Sequence, residues 1–487
     1  LPHGTTAMVA DPHEIANVAG LEGIRFLLEE SRDLPFDTFF TAPSCVPATH
    51  LETSGARLEA RDLSALLEEP RVLGLAELMN VPGLIHADPG VLDKVALFRD
   101  GVLDGHAPGL TGRDLQAYAA AGIRSDHECT TVEEALEKVR AGLFIMIREG
   151  TSARNLEALL PAVTPETRDR FCFVSDDLHP QDILRRGHLD HMIRRAVEAG
   201  LDPVTAVRLA SLNPARHFRL HDRGAVAPGF RADLAVLSDL EAFAVERVYK
   251  AGCIAAEQGR AVGIPEGPSR ERAAVPLEVG PLVPERFRIH DRGGRARVIR
   301  IVPGQIHTGL VLERPKVRDG LAVPDRDRDI LTLAVVERHH GTGNLGLGLV
   351  QGFGLREGAL AGSVAHDSHN VIAVGTSESD LCLAVETLRD LGGGLAVVRG
   401  GDVLARVPLP VGGLLSWEPI GVLVDRLDEV NRAAASLGCP LEDPFMVLSF
   451  LALPVIPSVK LTDLGLVDVS RFSLVPLFTG EAGADDA

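Results

Sequence analysis

Carboxylates and histidines recur along the first half of this chain, each placed where an apolar, strand-like segment ends. Glu77 follows Val72-Leu73-Gly74-Leu75-Ala76, and His106 follows Val102-Leu103-Asp104-Gly105. His127 follows Gly122-Ile123-Arg124-Ser125-Asp126, and Asp176 follows Phe171-Cys172-Phe173-Val174-Ser175. A polar cap on one strand end carries little weight. Four in chain order, separated by helix-like stretches, match a (β/α) barrel that gathers a metal site at the C-terminal rim of its strands.

The residue types fit that reading. Carboxylate and imidazole suit hard divalent ions, whereas soft thiolate sites need cysteines placed differently. His106 and His127 from adjacent strands, Glu77 from an earlier one and Asp176 from the last would bind one or two such ions and leave a position open for water. The ion lowers that water's pKa toward neutrality, and Asp176 can take its proton and pass it to a leaving group.

Strand-like and helix-like segments alternate from residue 1 to about 220, with strands ending near residues 10, 40, 76, 105, 126, 147 and 174. Leu143-Phe144-Ile145-Met146-Ile147 is continuously apolar, as in a parallel strand buried on both faces. Thr131 and Glu134 form a capping-box pattern that opens a helix running to Gly142. Seven strands fit an α/β barrel whose first strand lies upstream of Leu1. Residues 223–262, including Arg223 to Gly229, Ala232 to Leu237 and Val245 to Gly252, read as a small β appendage. Residues 263–285, rich in Pro, Gly and charge, read as a linker. Residues 286–487 read as a separate α+β domain, with a helix between Thr376 and Gly392 and a hairpin turning at Arg399-Gly400-Gly401-Asp402. The acidic stretch from Gly480 to Ala487 reads as a disordered tail.

Composition narrows the partners. A net charge of −19 disfavours nucleic acid and anionic membrane, and 4% aromatics disfavour a stacking platform for single strands. A small-molecule substrate is expected. Six scattered cysteines without a CxxC pair suit a reduced, cytoplasmic protein. The longest apolar run, Phe445 to Leu453, is about half of what spans a bilayer. A homo-oligomer is expected.

Asp11-Pro12-His13-Glu14-Ile15-Ala16-Asn17-Val18 resembles the signature after the second barrel strand of bacterial-type adenine deaminases, in the amidohydrolase superfamily. So do Gly74-Leu75-Ala76-Glu77-Leu78-Met79-Asn80, Asp104-Gly105-His106-Ala107-Pro108, Ser125-Asp126-His127-Glu128 and Ser175-Asp176-Asp177. Ser211-Leu212-Asn213-Pro214-Ala215-Arg216, with Val226 to Gly229 and Ala232 to Leu234, resembles the superfamily's exit from the barrel. Ser363-Val364-Ala365-His366-Asp367-Ser368-His369-Asn370 resembles the adenine deaminase C-terminal domain, which other amidohydrolases mostly lack.

The resemblance implies a (β/α)8 barrel lacking its first strand, and a site of two divalent ions, manganese or iron. Glu77 would be catalytic as the bridging carboxylate, with His106 and His127 on one ion. Asp176 would bind metal and shuttle the proton. The implied reaction is adenine plus water giving hypoxanthine and ammonia, a step of purine salvage. Asp177 would hold a ring nitrogen of the base or merely cap the next helix. Arg148 and Glu149 end the next-to-last strand at the same rim and are placed to contact the ring. His13 and Glu14 serve the substrate, its surroundings or the fold. His366, Asp367 and His369 are expected to lean over the barrel mouth as a lid, in preference to forming a surface turn. His339-His340 read as a turn, and Gly341 to Gly346 lacks the lysine of a phosphate loop.

The family's first strand carries a His-x-His pair, and none precedes Thr5 here; His3 stands alone. The chain therefore reads as a fragment whose metal affinity and activity are expected to be low. The alternatives are another amidohydrolase acting on a cyclic amide or N-acetyl sugar, and a non-catalytic binding protein on a degenerate barrel.

Overall fold

The computed structural model describes residues 1–264 and 277–480. The chain folds into two compact units: Leu1–His13, Ile24–Cys45 and Leu58–Pro268 in one, and Glu14–Gly23, Val46–Arg57 and Ser269–Ala487 in the other.

The first unit holds seven parallel strands in chain order. These are β1 (Ala7–Ala10), β2 (Asp37–Ala42), β3 (Val72–Leu78), β4 (Val102–Gly105), β5 (Ser125–Asp126), β6 (Phe144–Arg148) and β7 (Phe171–Val174). β1 to β4 pair in sequence, as do β5 to β7, and Arg124 N–H donates to Leu103 O at 3.0 Å where the two groups meet. β6 explains the unbroken apolar run. Ile145 and Ile147 pack outward with Leu115, Ala135 and Leu209, while Phe144 and Met146 pack on the other face with Val102 and Cys172. Both faces are dry, so both must be apolar. Arg148 shares the parity of Phe144 and Met146, which directs it away from the helices.

Local rules hold between the strands. Thr131 caps the helix Val132–Arg140, its Oγ1 accepting from Glu134 N–H at 3.3 Å, and Gly142 follows with φ +93°. Beyond the barrel strands, Leu234–Leu237, Val245–Lys250, Cys253–Glu257 and Arg260–Ala261 form an antiparallel sheet. Arg223 to Gly229, read as a β segment, is not a strand. Gly224 (φ +92°) and Gly229 (φ +82°) turn the chain there, and Pro228 offers no N–H to a ladder. Asp37, opening β2, instead accepts from Arg223 at 2.5 Å and from Lys250 at 2.6 Å.

The second unit is built on a nine-stranded mixed sheet. Its strand Ile330–Val336 turns Leu331, Leu333 and Val335 to one face and Ala334 and Val336 to the other. The first face is covered by the helices Ile420–Ser436 and Pro444–Phe450, the second by Glu378–Leu391. That last helix has the expected ends, Ser377 accepting from Asp380 N–H and Gly392 in the left-handed conformation. Gly394–Arg399 and Asp402–Pro408 form the expected hairpin, with Gly400 and Gly401 both at positive φ.

Residues 14–23 and 46–57, grouped with the barrel in the sequence reading, pack within the second unit. Thr53 Oγ1 donates to Asp463 at 2.6 Å, Asn370 Nδ2 donates to Thr53 O at 2.7 Å, and Ser54 Oγ donates to Asn17 O at 2.9 Å. The presumed linker lies partly outside the described residues, at 265–276. Its remainder is anchored, since Leu277 and Leu282 are buried beside Phe287. The tail expected from 480 onward lies outside the described residues after Gly480.

The second unit also buries an acid under strain. Burial, reinforced by Asp367 and Asp463, pushes the Glu52 carboxyl up to about 8. A carboxyl with a raised folded pKa binds its proton more tightly folded than unfolded, so stability falls as pH rises from the ordinary value of 4.5 through 8. Glu52→Gln is therefore expected to stabilise the chain at pH 8.5 by roughly 2–4 kcal/mol relative to its effect at pH 4.5. Urea unfolding at the two pH values checks this, and equal effects at both would exclude it.

Candidate metal centre

Four strand ends of the first unit bring their polar residues to one place. Glu77 Oε2 lies 2.9 Å from His106 Nδ1 and 3.1 Å from His127 Nε2. The two rings meet edge to face with centroids 5.2 Å apart. The other carboxylate oxygen, Oε1, lies 3.7 Å from His13 Nδ1, which is 3.0 Å from Asp11 Oδ2. Glu77 thus belongs to two groups of potential ligands, Glu77–His106–His127 and Asp11–His13–Glu77, in each of which the ligand atoms lie within 4.8 Å of one another.

Burial sets the electrostatics. It opposes a charge on Glu77, but His127 and His106 outweigh it and hold the carboxyl well below its usual range. Burial likewise opposes charging His127, and Glu77 outweighs it, lifting the imidazole to about 10. His106 is raised for the same reason, with Glu128 the largest opposing influence to burial. Asp11 lies the other way, its carboxyl pushed up by burial. These shifts favour protons on the two imidazoles, facing the carboxylate. A divalent cation can replace them, since the donors are the oxygen and nitrogen types such ions prefer. The residues present fit the group.

Asp176 follows β7 with φ +50°, in the left-handed region that costs a non-glycine residue about 1 kcal/mol or more. Its Oδ2 accepts from Arg148 Nη1 at 2.9 Å. Arg148, expected to contact a substrate ring, is engaged by carboxylates: Nη1 and Nη2 also reach Glu128 Oε1 and Oε2 at 2.6 and 3.0 Å. Glu149, expected in the same role, pairs with Arg195 and accepts from Leu156 N–H at 3.3 Å. Asp177 packs so tightly on Gly150 that a Cβ there would stand 2.4 Å from its Oδ1.

Two residues of the cluster escaped the sequence reading. Asp11 and Glu128 both sit in quoted motifs, next but one and next to named residues. Their neighbours across strands reveal them, since Glu128 Oε1 lies 3.7 Å from His106 Nδ1 and 2.6 Å from Arg148 Nη1, and Glu77 Oε1 faces His13, which pairs with Asp11.

Two further groups, each within one unit, bring possible ligands together among the described residues. Asp126, Cys129 and Glu134 cluster, but Lys138 Nζ already supplies their cation, at 2.8 Å from Asp126 and 2.6 Å from Glu134. In the second unit, Glu14 accepts from His366 Nδ1 at 2.7 Å and pairs with His369 Nε2. Ala365 N–H donates to His369 Nδ1 at 3.1 Å, so the ring proton resides on Nε2. A ligating imidazole has the reverse arrangement, its second nitrogen donating. His366 stacks on Phe450 at 4.7 Å, and Ser363, His369 and Asn370 are buried, so the segment is no surface turn. His339 and His340 lie in a bend, their Nε2 atoms 2.7 Å from Ser368 O and 3.0 Å from Ser54 O.

Known proteins resemble this chain along most of its length. Residues 1–255 match the amidohydrolase family, and residues 305–473 match the adenine deaminase C-terminal domain. The chain is 51% identical to an adenine deaminase of Desulfatibacillum aliphaticivorans, covering 98% of this chain and 84% of the relative. An adenine deaminase of Methanothrix thermoacetophila is also 51% identical over 98% of this chain and 84% of its own length. One of Dehalococcoides mccartyi is 48% identical, over 98% and 83%.

Proposed function

The chain belongs to the adenine deaminases of the amidohydrolase superfamily, and from that membership we propose that it hydrolyses adenine to hypoxanthine and ammonia in a metal-dependent reaction. The observation that carries the reading is the convergence of His106 and His127 on Glu77 Oε2, at 2.9 and 3.1 Å, on a chain that also matches the C-terminal domain of these deaminases. That second match disfavours an amidohydrolase of cyclic amides or N-acetyl sugars. The ligand-competent cluster disfavours a binding-only barrel.

Glu77, His106 and His127 would hold the cation, with Glu77 offering one oxygen to them and the other toward His13 and Asp11. Bound manganese or iron would lower the pKa of a water toward neutrality. As the water oxygen bonds to the ring carbon bearing the amino group, Asp176 accepts one of its protons and delivers it to the amino nitrogen. The C–N bond breaks, ammonia leaves neutral, and the second proton ends on the adjacent ring nitrogen of hypoxanthine. His13 and Asp177 are placed in this reading to meet the edges of the base. Arg148 and Glu149 support the rim. A purine is neutral and flat, and few charges are needed to bind it.

A place in purine salvage follows from the reaction. Cytoplasmic residence is supported by six free cysteines, five of them buried. Among the described residues no helix is long and apolar enough to cross a membrane. Ammonia release from adenine, adenosine, cytosine and a hydantoin, with manganese or iron supplied, tests the reading. Adenine is expected to be the preferred substrate by at least ~100-fold; turnover of the hydantoin in preference would overturn it.

A further inference from the structure

We propose that Glu128 and Arg148 form a positioning pair that holds Asp176 in register with the histidine cluster, an inference that rests on the hydrolytic reading of that centre. Asp176 needs such support. It lies just past a strand end, a third of its side chain is exposed, and its backbone occupies the left-handed region. Nothing in its own φ/ψ preference keeps the carboxylate where a proton must be taken up. Arg148 reaches it from β6, the neighbouring strand, and is itself immobilised. Arg148 is 6% exposed, and its guanidinium lies in a fork with both oxygens of Glu128.

Glu128 completes the connection. It directly follows His127 in the chain, is 7% exposed, and places Oε1 3.4 Å from His127 Nε2 and 3.7 Å from His106 Nδ1. One planar, buried cation therefore ties the aspartate of the last strand to the histidine of the fifth. Only arginine can do this, because its nitrogens address two carboxylates at fixed angles, whereas a lysine offers a single point. These bonds engage three of the five guanidinium N–H groups, and Nε is buried and without a protein partner. The rival role is therefore direct contact of Arg148 with the base, and it predicts different kinetics.

Arg148→Ala and Arg148→Lys in the full chain separate the two. Positioning predicts that kcat falls roughly 100-fold in both, as for a catalytic group displaced by about an ångström. KM, bound metal per chain and the affinity for hypoxanthine stay within about threefold of the unmodified chain, as a group absent from the bound base requires. Millimolar guanidinium restores part of the rate to Arg148→Ala and none to Arg148→Lys. A rise in KM and weaker hypoxanthine binding at unchanged kcat would overturn the proposal in favour of base contact. So would a folded, metal-loaded Arg148→Ala with full rate.

The two readings fail separately. If the unmodified chain releases no ammonia from adenine, the hydrolytic reading falls. The clamp is then judged from thermal unfolding of Arg148→Ala, Asp176→Ala and their double variant. A double shift well short of the sum supports it, and additive shifts overturn it.

Discussion

Replacing Glu77 by glutamine, or His127 by asparagine, is expected to lower adenine deamination by roughly 10³-fold or more, because each removes a donor that the bound cation needs. Glu77 has the larger reach. Its Oε2 addresses both His106 and His127, and its Oε1 faces His13. The glutamine variant would also turn a donor toward groups that are themselves donors when protonated. Metal analysis of the purified variants should find the bound divalent ion reduced at least about tenfold. Retention of metal and of the rate to within threefold would remove these residues from the centre.

The same cluster sets a pH dependence. His127 has a folded pKa of about 10, above its ordinary 6.5. Its proton therefore stabilises the metal-free chain fully below 6.5, and that contribution disappears as pH rises through 10. A metal must displace this proton. Its affinity should accordingly rise by up to about tenfold per pH unit between pH 7 and 9, and competition titrations with a chelator of known affinity would measure the slope. A flat response would mean that His127 is not the site of displacement.

The second large effect concerns stability. Lys138 and Asp126 are both fully buried, 2.8 Å apart, and Lys138 also donates to Ala107 O and Glu134. Lys138→Met leaves the Asp126 carboxylate buried without its cation, a loss of about 3–5 kcal/mol. Asp126 in turn accepts from Ala107 N–H at 2.8 Å, so the pair secures the loop that carries His106. A fall in Tm on the order of 10 °C is expected by calorimetry. Adding Asp126→Asn to that variant should recover a good part of the loss, since it removes the orphaned charge. If the double variant is as unstable as the sum of the two single changes, the lysine acts through packing alone.

Much of this protein was legible in one dimension. The strand ends near residues 10, 105, 126 and 174 fall where apolar runs stop, because burial on both faces of a parallel strand requires unbroken apolar sequence. That Glu77, His106 and His127 come together is expected because a barrel presents the residues at its strand ends on one rim, Glu77 lying near the end of β3 and the histidines just past β4 and β5. Helix caps at Thr131 and Ser377 and the Gly400–Gly401 turn are likewise local, each decided by a few neighbouring bonds.

What escaped depends on partners far along the chain. Arg148 reads as a free cation at a rim, and only the fold places Glu128 and Asp176 on its nitrogens. Glu14 reads as part of a barrel signature, yet it pairs with His366, 352 residues away, and compacts with the second unit. The chain's own periodicity determined where strands, caps and turns form, because those follow from hydrogen bonds and burial within a few residues. Tertiary structure alone decided which charge answers which, because in a buried site each ionised group must find its counter-charge wherever the fold delivers one.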